Sequence, residues 1–312
     1  MTGRCNSLTR ECTVSRLCGL GYPGVGRSGV QVHQGLSVGG RLRGWRWWFL
    51  SASWVGGLLA YAAVVVGGCA TLPDDRTLAL ARSEYDLAAG LVGEKNVPGA
   101  FEHLLKALEL DPGLVEAWVL KGSLHLFRGE LGMSEQALRR GLELAAANPR
   151  YGEPVVSDIQ NTLGSVLIHD GRLDEAIALL RVSASSLLNR SPHLAWGNLG
   201  WAQYQKGDHK AALDSLGQAV RQQPRFCWGL FQLGRTHLAL QQLPSADEAL
   251  TRALEVDQPE CARMQDAWRL RGEVRAQLEM REEAISDFER CIELAPRTEA
   301  GNSCRAYLDQ AR

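Results

Sequence analysis

The chain has 312 residues, with 34 basic groups, 35 acidic groups and a formal net charge of -1. That length supports one large or two ordinary domains. The charge is uneven: residues 1–68 hold seven arginines, no lysine and one acid, Glu11, leaving 27 basic against 34 acidic groups, or about -7, after Gly68. An acidic body of this kind argues against non-specific nucleic-acid binding.

Residues 1–40 are rich in Gly, Ser and Arg and carry no helical or strand period. They are expected to be unstructured or to lie ahead of the true start, for which Val38 is a candidate. The stretch Gly24–Gly29, GVGRSG, has dinucleotide-loop spacing but lacks a strand before it and a helix after it, so it is read as chance. Arg41, Arg43 and Arg46 then flank an uncharged run from Trp47 to Val66. A positive flank, an apolar run and small residues are the order of an export signal, here 41–68. The run is also long enough to span a bilayer uncleaved.

The end of the run separates the two readings. Val66-Gly67-Gly68-Cys69 resembles the bacterial lipobox, an aliphatic and two small residues before a cysteine. That resemblance implies cleavage before Cys69, diacylglycerol on its sulfur and an acyl group on the new amino terminus. Two or more acyl chains anchor a protein stably. Ala70, where an Asp would mark inner-membrane retention, favours a periplasm-facing outer-membrane address, with residues 69–80 as the tether.

The remainder repeats itself. Units are expected at 81–114, 115–149, 157–192, 193–226, 227–260 and 265–298. Small residues recur where two helices would cross: Ala88, Gly122, Gly164, Gly200, Gly234 and Gly272 in the first helix. Ala100, Ser134, Ala176, Ala212, Ala246 and Ala284 face them from the second. Trp118, Trp196 and Trp268 share a third register position, and Pro112, Pro149, Pro224, Pro259 and Pro296 close units. The pattern resembles the 34-residue tetratricopeptide repeat. The expected fold is all-α: a right-handed superhelical solenoid of about six helix–turn–helix units, with residues 299–312 as a capping helix. The eleventh position of each unit is poorly kept: Leu91, His125, Leu167, Gln203, His237 and Arg275. The second helix of the third unit is expected to reach about Leu188.

No catalytic or metal site is expected. The six body histidines show no H-E-x-x-H or zinc spacing, and no nucleophile elbow or P-loop occurs. The acidic pairs Asp174–Glu175 and Glu282–Glu283 open second helices, where carboxylates favour the helix dipole. No cofactor, nucleic acid or small-molecule substrate is expected, and the lipid on Cys69 is the one non-protein group.

Solenoids of this kind bind partners along the face of their first helices. In that register stand Tyr85, Val119, Leu126, Phe127, Ile168, Trp201, Tyr204, Trp228, Phe231 and Arg235. Aromatics and Arg dominate binding hot spots, so an apolar segment of a partner protein is the expected ligand. The basic clamp that would hold an acidic C-terminus is sparse.

Cys5, Cys12 and Cys18 precede the apolar run, whereas Cys227, Cys261, Cys291 and Cys304 lie in the last third. The late four fit either two disulfides or four buried thiols. Cys227 and Cys261 would begin successive first helices, while Cys291 and Cys304 would join the last unit to its cap. An oxidising periplasm favours those two pairings.

A lipobox followed at once by six such units resembles the type IV pilus biogenesis lipoproteins, the Tgl and PilF/PilW pilotins, over residues 69–312. The resemblance implies an outer-membrane pilotin that binds PilQ-like secretin subunits and promotes their assembly. A general periplasmic adaptor for envelope, cell-wall or secretion complexes is the alternative. So is an inner-membrane-anchored module of a secretion or polysaccharide system.

Overall fold

In a computed structural model of the protein, residues 74–311 are described, and every regular element among them is a helix. The leader, the signal, the possible start at Val38 and the lipidation site Cys69 lie outside the described residues. Among the described residues no helix is long and apolar enough to cross a membrane.

The helices run as antiparallel pairs: α1 (Asp75–Gly93) with α2 (Val97–Leu110), α3 (Val115–Phe127) with α4 (Leu131–Ala147), and α5 (Gly152–His169) with α6 (Leu173–Ser185). They continue as α7 (Pro192–Lys206) with α8 (His209–Gln222), and α9 (Cys227–Ala239) with α10 (Leu243–Glu255). A short helix, α11 (Pro259–Ala262), precedes the pair α12 (Gln265–Gln277) and α13 (Arg281–Leu294), and α14 (Glu299–Ala311) follows.

Local chemistry sets the ends. Asp74 accepts from the Thr77 amide at 2.7 Å, starting α1 six residues before the repeat register begins. Asn96 caps α2 and Asp208 caps α8 in the same way. Each turn within a pair needs one left-handed residue at the same register: Lys95, Gly129, Gly171, Gly207, Gln241 and Glu279, all with positive φ. Three are glycine, for which that region carries no steric cost. The third pair begins at Gly152, ahead of the register start at Ser157, and α6 stops at Ser185 rather than near Leu188. The Asn189 amide donates to the Ser183 carbonyl at 2.8 Å, closing the helix end, and Leu187 stands 97% exposed in the loop beyond.

The small-residue pattern has a direct packing cause. A Cβ built on Gly164 would sit 2.5 Å from Leu180, and one on Gly272 would sit 2.6 Å from the Phe288 ring. Gly122, Gly200 and Gly234 meet Leu138, Leu216 and Leu250 as closely. Ala100, Ala176, Ala212, Ala246 and Ala284 are fully buried opposite them. Ser134 replaces the alanine of its unit without an unpaired hydroxyl, because its Oγ donates to the Gly122 carbonyl at 2.7 Å. Trp118 and Trp268 each donate their indole N–H at 2.9 Å to a carbonyl of the preceding turn, Pro112 and Ala262 respectively.

The irregular eleventh position is filled differently in each unit, and Leu91 packs half-buried against the core of the first two pairs. His125 Nδ1 lies 2.6 Å from Glu130, and His237 Nδ1 lies 2.7 Å from Gln242. Ser215 donates to Gln203 at 2.7 Å, and Leu167 is buried in the core. Arg275 binds Asp247 and Asp287. The position is thus scattered in residue type but mostly satisfied; His125 Nε2, buried with no hydrogen-bond partner among the described residues, is the exception.

Disulfides join Cys227 to Cys261 and Cys291 to Cys304, with Cα separations of 5.8 and 6.3 Å. Cys261 does not begin a first helix: it lies in α11, the inserted turn ahead of α12. The Cys291–Cys304 bond holds α14 against α13, where Tyr307 stacks on Phe288 at 5.3 Å. Loops of 34 and 13 residues correspond to about 4 and 3 kcal/mol by the chain-entropy model. Reduction is therefore expected to lower the denaturation midpoint, with peptides carrying both bonds recovered from a non-reduced digest. Free thiols at these four positions in protein from an oxidising compartment would contradict this.

Candidate partner-binding face

The first helices α7 and α9 carry the most developed surface site. The Arg235 guanidinium lies 4.8 Å from the Trp201 ring centroid and 5.0 Å from that of Tyr204. The two rings are stacked at 5.3 Å with an interplanar angle of 13°. Trp201 and Tyr204 are three apart on α7, so they share one face, and Arg235 reaches across from α9. Each such contact contributes about 0.5–1 kcal/mol where water is present and more once it is excluded. All three are half-buried, so a partner covering them would gain both aromatic area and a dry cation–π contact.

A second aromatic group lies toward the start of these helices. Trp228 packs on Phe226 at 5.9 Å, and Phe226 meets His193 edge-on at 5.2 Å. Gly197 and Gly229 make room for the Phe226 ring, which a Cβ at either position would approach within 3.0 Å. Burial here holds His193 below the usual imidazole range.

Between α5 and α7 the face turns polar. Asn198 donates through Nδ2 to Asn161 Oδ1 and to Ser165 Oγ, both at 3.0 Å. Asp158 lies on the same helix as Asn161, and its burial raises the carboxyl above its usual range. Neither Asn198 nor Phe226 belongs to the groove register read from the sequence. The signal that finds them is contact between neighbouring units, which no position inside one unit reports.

Three residues expected on this surface are not there. Ile168 and Phe231 are core side chains, 4% and 8% exposed, and Tyr85 is 9% exposed beneath the Arg82 guanidinium. The physical reason is packing between units: Ile168, Phe231 and Tyr85 each belong to a core cluster built from helices of adjacent pairs. Val119, Leu126 and Trp201 are half-buried and pack on the central core cluster. Phe127 is 45% exposed at the end of α3, on a different pair from the Trp201 group. The structure thus brings together Trp201, Tyr204 and Arg235, with Trp228 on the same helix as Arg235, and leaves Val119, Leu126 and Phe127 on α3.

Comparisons with known proteins fit this architecture. The tetratricopeptide repeat family model matches residues 231–297, and a second model of that repeat matches 115–148 and 193–226. Helix order, pairing and these matches define the class: a tetratricopeptide-repeat solenoid. The BBSome complex member BBS4 of Bos taurus is 26% identical over 221 residues, 69% of this chain but 40% of that protein. The chain therefore spans well under half the length of this curated relative. The crystal structure of PilW, a type IV pilus biogenesis factor, superposes with a TM-score of 0.61 at 20% identity, over 72% of this chain and 97% of PilW. PilF of Pseudomonas aeruginosa superposes at 0.62 and 17% identity, over 74% of this chain and 99% of its own. At such identities the likeness is one of fold.

Proposed function

We propose that the protein is a lipid-anchored scaffold that binds secretin subunits and promotes their outer-membrane assembly in type IV pilus biogenesis. The order of parts carries this reading. A lipobox-like stretch ending at Cys69 stands five residues before an array that superposes on PilW, a type IV pilus biogenesis factor, and on PilF over nearly their whole lengths. Diacylglycerol and an N-acyl chain on Cys69 would hold the array at the periplasmic face of the outer membrane. The Trp201–Tyr204–Arg235 platform would capture an apolar segment of a PilQ-like subunit. Such a scaffold works by raising local concentration, with no bond made or broken.

Deleting the gene is expected to remove heat-resistant secretin multimers and surface pili, with secretin monomer remaining. Normal multimers and pili in the deletion strain would end the proposal. Cys69→Ala is expected to release the protein from the membrane fraction. Trp201→Ala combined with Arg235→Ala removes the platform while leaving the buried core residues intact. Hot-spot losses of about 2 kcal/mol or more predict secretin binding weakened roughly 30-fold or more. Unchanged affinity with multimers still lost in the deletion would place the partner on another surface.

A further inference from the structure

The second helix of the fourth unit, α8, carries a glycine, Gly217, in its interior. At the same register the other units have Leu105, Arg139, Arg181, Thr251 and Glu289. An interior helical glycine costs about 0.5–1 kcal/mol relative to alanine, so its use here has no explanation in helix stability. Beside it opens a cleft of about 380 Å³ lined by Gly217, Val220, Arg221, Pro224, Leu233 and Arg252. Leu233 is half-buried there, whereas Leu163 and Leu199, its counterparts in the two preceding units, are 1% and 2% exposed.

The lining has a definite chemistry. Val220, Pro224 and Leu233 supply apolar walls, the side chains of Arg221 and Arg252 complete the lining, and Arg221 Nη1 stands beside Gly217. Arg252 meets Glu248 at 3.8 Å, the long end of an ion pair, which leaves it able to take a closer carboxylate. The chain after Gly68 as a whole carries an excess of acids, about -7, so a pair of arginines beside an apolar cleft is a complementary place for an acidic partner segment. The cleft is also separate from the aromatic platform. Leu233 and Arg235 are two residues apart on α9, which places them about 200° apart around the helix.

We infer that the α8–α9–α10 cleft is a second docking site, which takes an aliphatic side chain flanked by carboxylates from a partner polypeptide. The aliphatic group covers Leu233 and Val220, and the carboxylates pair with Arg221 and Arg252.

The test uses the full chain in lipid nanodiscs and two fluorescein-labelled tetrapeptides, Asp-Leu-Leu-Glu and Lys-Leu-Leu-Lys, read by anisotropy. The acidic peptide is expected to bind at least tenfold tighter than the basic one and to slow hydrogen exchange within 209–239. Gly217→Leu adds a side chain whose Cβ meets only the flexible end of Arg221, at 3.2 Å, so the helix is expected to form normally and binding to fall tenfold or more. Arg221→Glu with Arg252→Glu leaves the cleft open and is expected to reverse the preference between the peptides. Equal binding of both peptides would overturn the inference. So would unchanged affinity in both variants, protection confined to the Trp201 face, or displacement by dodecanoate in place of any peptide preference.

Discussion

Asp287→Ala is expected to destabilise the last unit by about 3–5 kcal/mol, the usual cost of removing one partner from a buried ion pair. Asp287 is fully enclosed on α13, its side chain 2% exposed. It accepts from Arg271 Nε at 2.9 Å and Nη2 at 2.7 Å, a two-pronged pairing, and from Arg275 Nη1 at 3.0 Å. Removing the carboxylate leaves the Arg271 guanidinium, 9% exposed, without its counter-charge, while Arg275 keeps only Asp247 as an acidic partner, at 2.8 Å. The ion cluster need not be a net source of stability. Three preceding units place leucine where Arg271 stands, at Leu163, Leu199 and Leu233. The triple change Arg271→Leu, Arg275→Tyr and Asp287→Ala is therefore expected to recover most of the loss, since well-packed apolar groups often match a buried ion pair. Denaturant unfolding checks both. A single Asp287→Ala variant within 1 kcal/mol of the parent would show that water reaches the cluster freely.

Phe288→Ala is expected to cost about 3–5 kcal/mol, the range for emptying a buried aromatic site. The ring is 1% exposed, lies in the gap left by Gly272 and stacks on Tyr307 of α14. Its loss opens a cavity shared by three helices, and Gly272 supplies no side chain to fill it. Every earlier unit puts leucine at this register, so Phe288→Leu is expected to cost a minor part of that amount. Stability in a repeat array is nearly a sum of units and their contacts. Hydrogen exchange is therefore expected to rise in α12, α13 and α14 and to stay near the parent values in α5 and α6. A uniform rise along the array would mean that the units unfold as one.

Both predictions explain residues that look like defects when one unit is aligned with the next. Arg271 and Arg275 depart from the repeat pattern, yet each is balanced by Asp287 on the next helix, 16 and 12 residues away, which no helical period links to them. His125 and His237 depart in the same register and find Glu130 and Gln242 in the following turn. The repeat itself was legible because its small residues answer a local demand. Two helices of one unit can cross closely only where Gly164 faces Leu180 or Gly234 faces Leu250, and that demand recurs at fixed spacing. The surface was less legible because exposure depends on neighbours. Trp201 and Phe231 both occupy groove positions, but only Trp201 remains reachable, beneath Arg235.

The chain's own order of residues determined the helical pairs, their crossing points and the expectation of a lipid at Cys69, because periodicity and a cleavage motif are properties of neighbouring residues. Tertiary structure alone decided which side chains form the Trp201–Tyr204–Arg235 platform and how far α6 extends. It alone decided that Gly217 borders a cleft. These depend on how each unit is covered by the next, and that covering brings together residues more than thirty positions apart, such as Trp201 and Arg235.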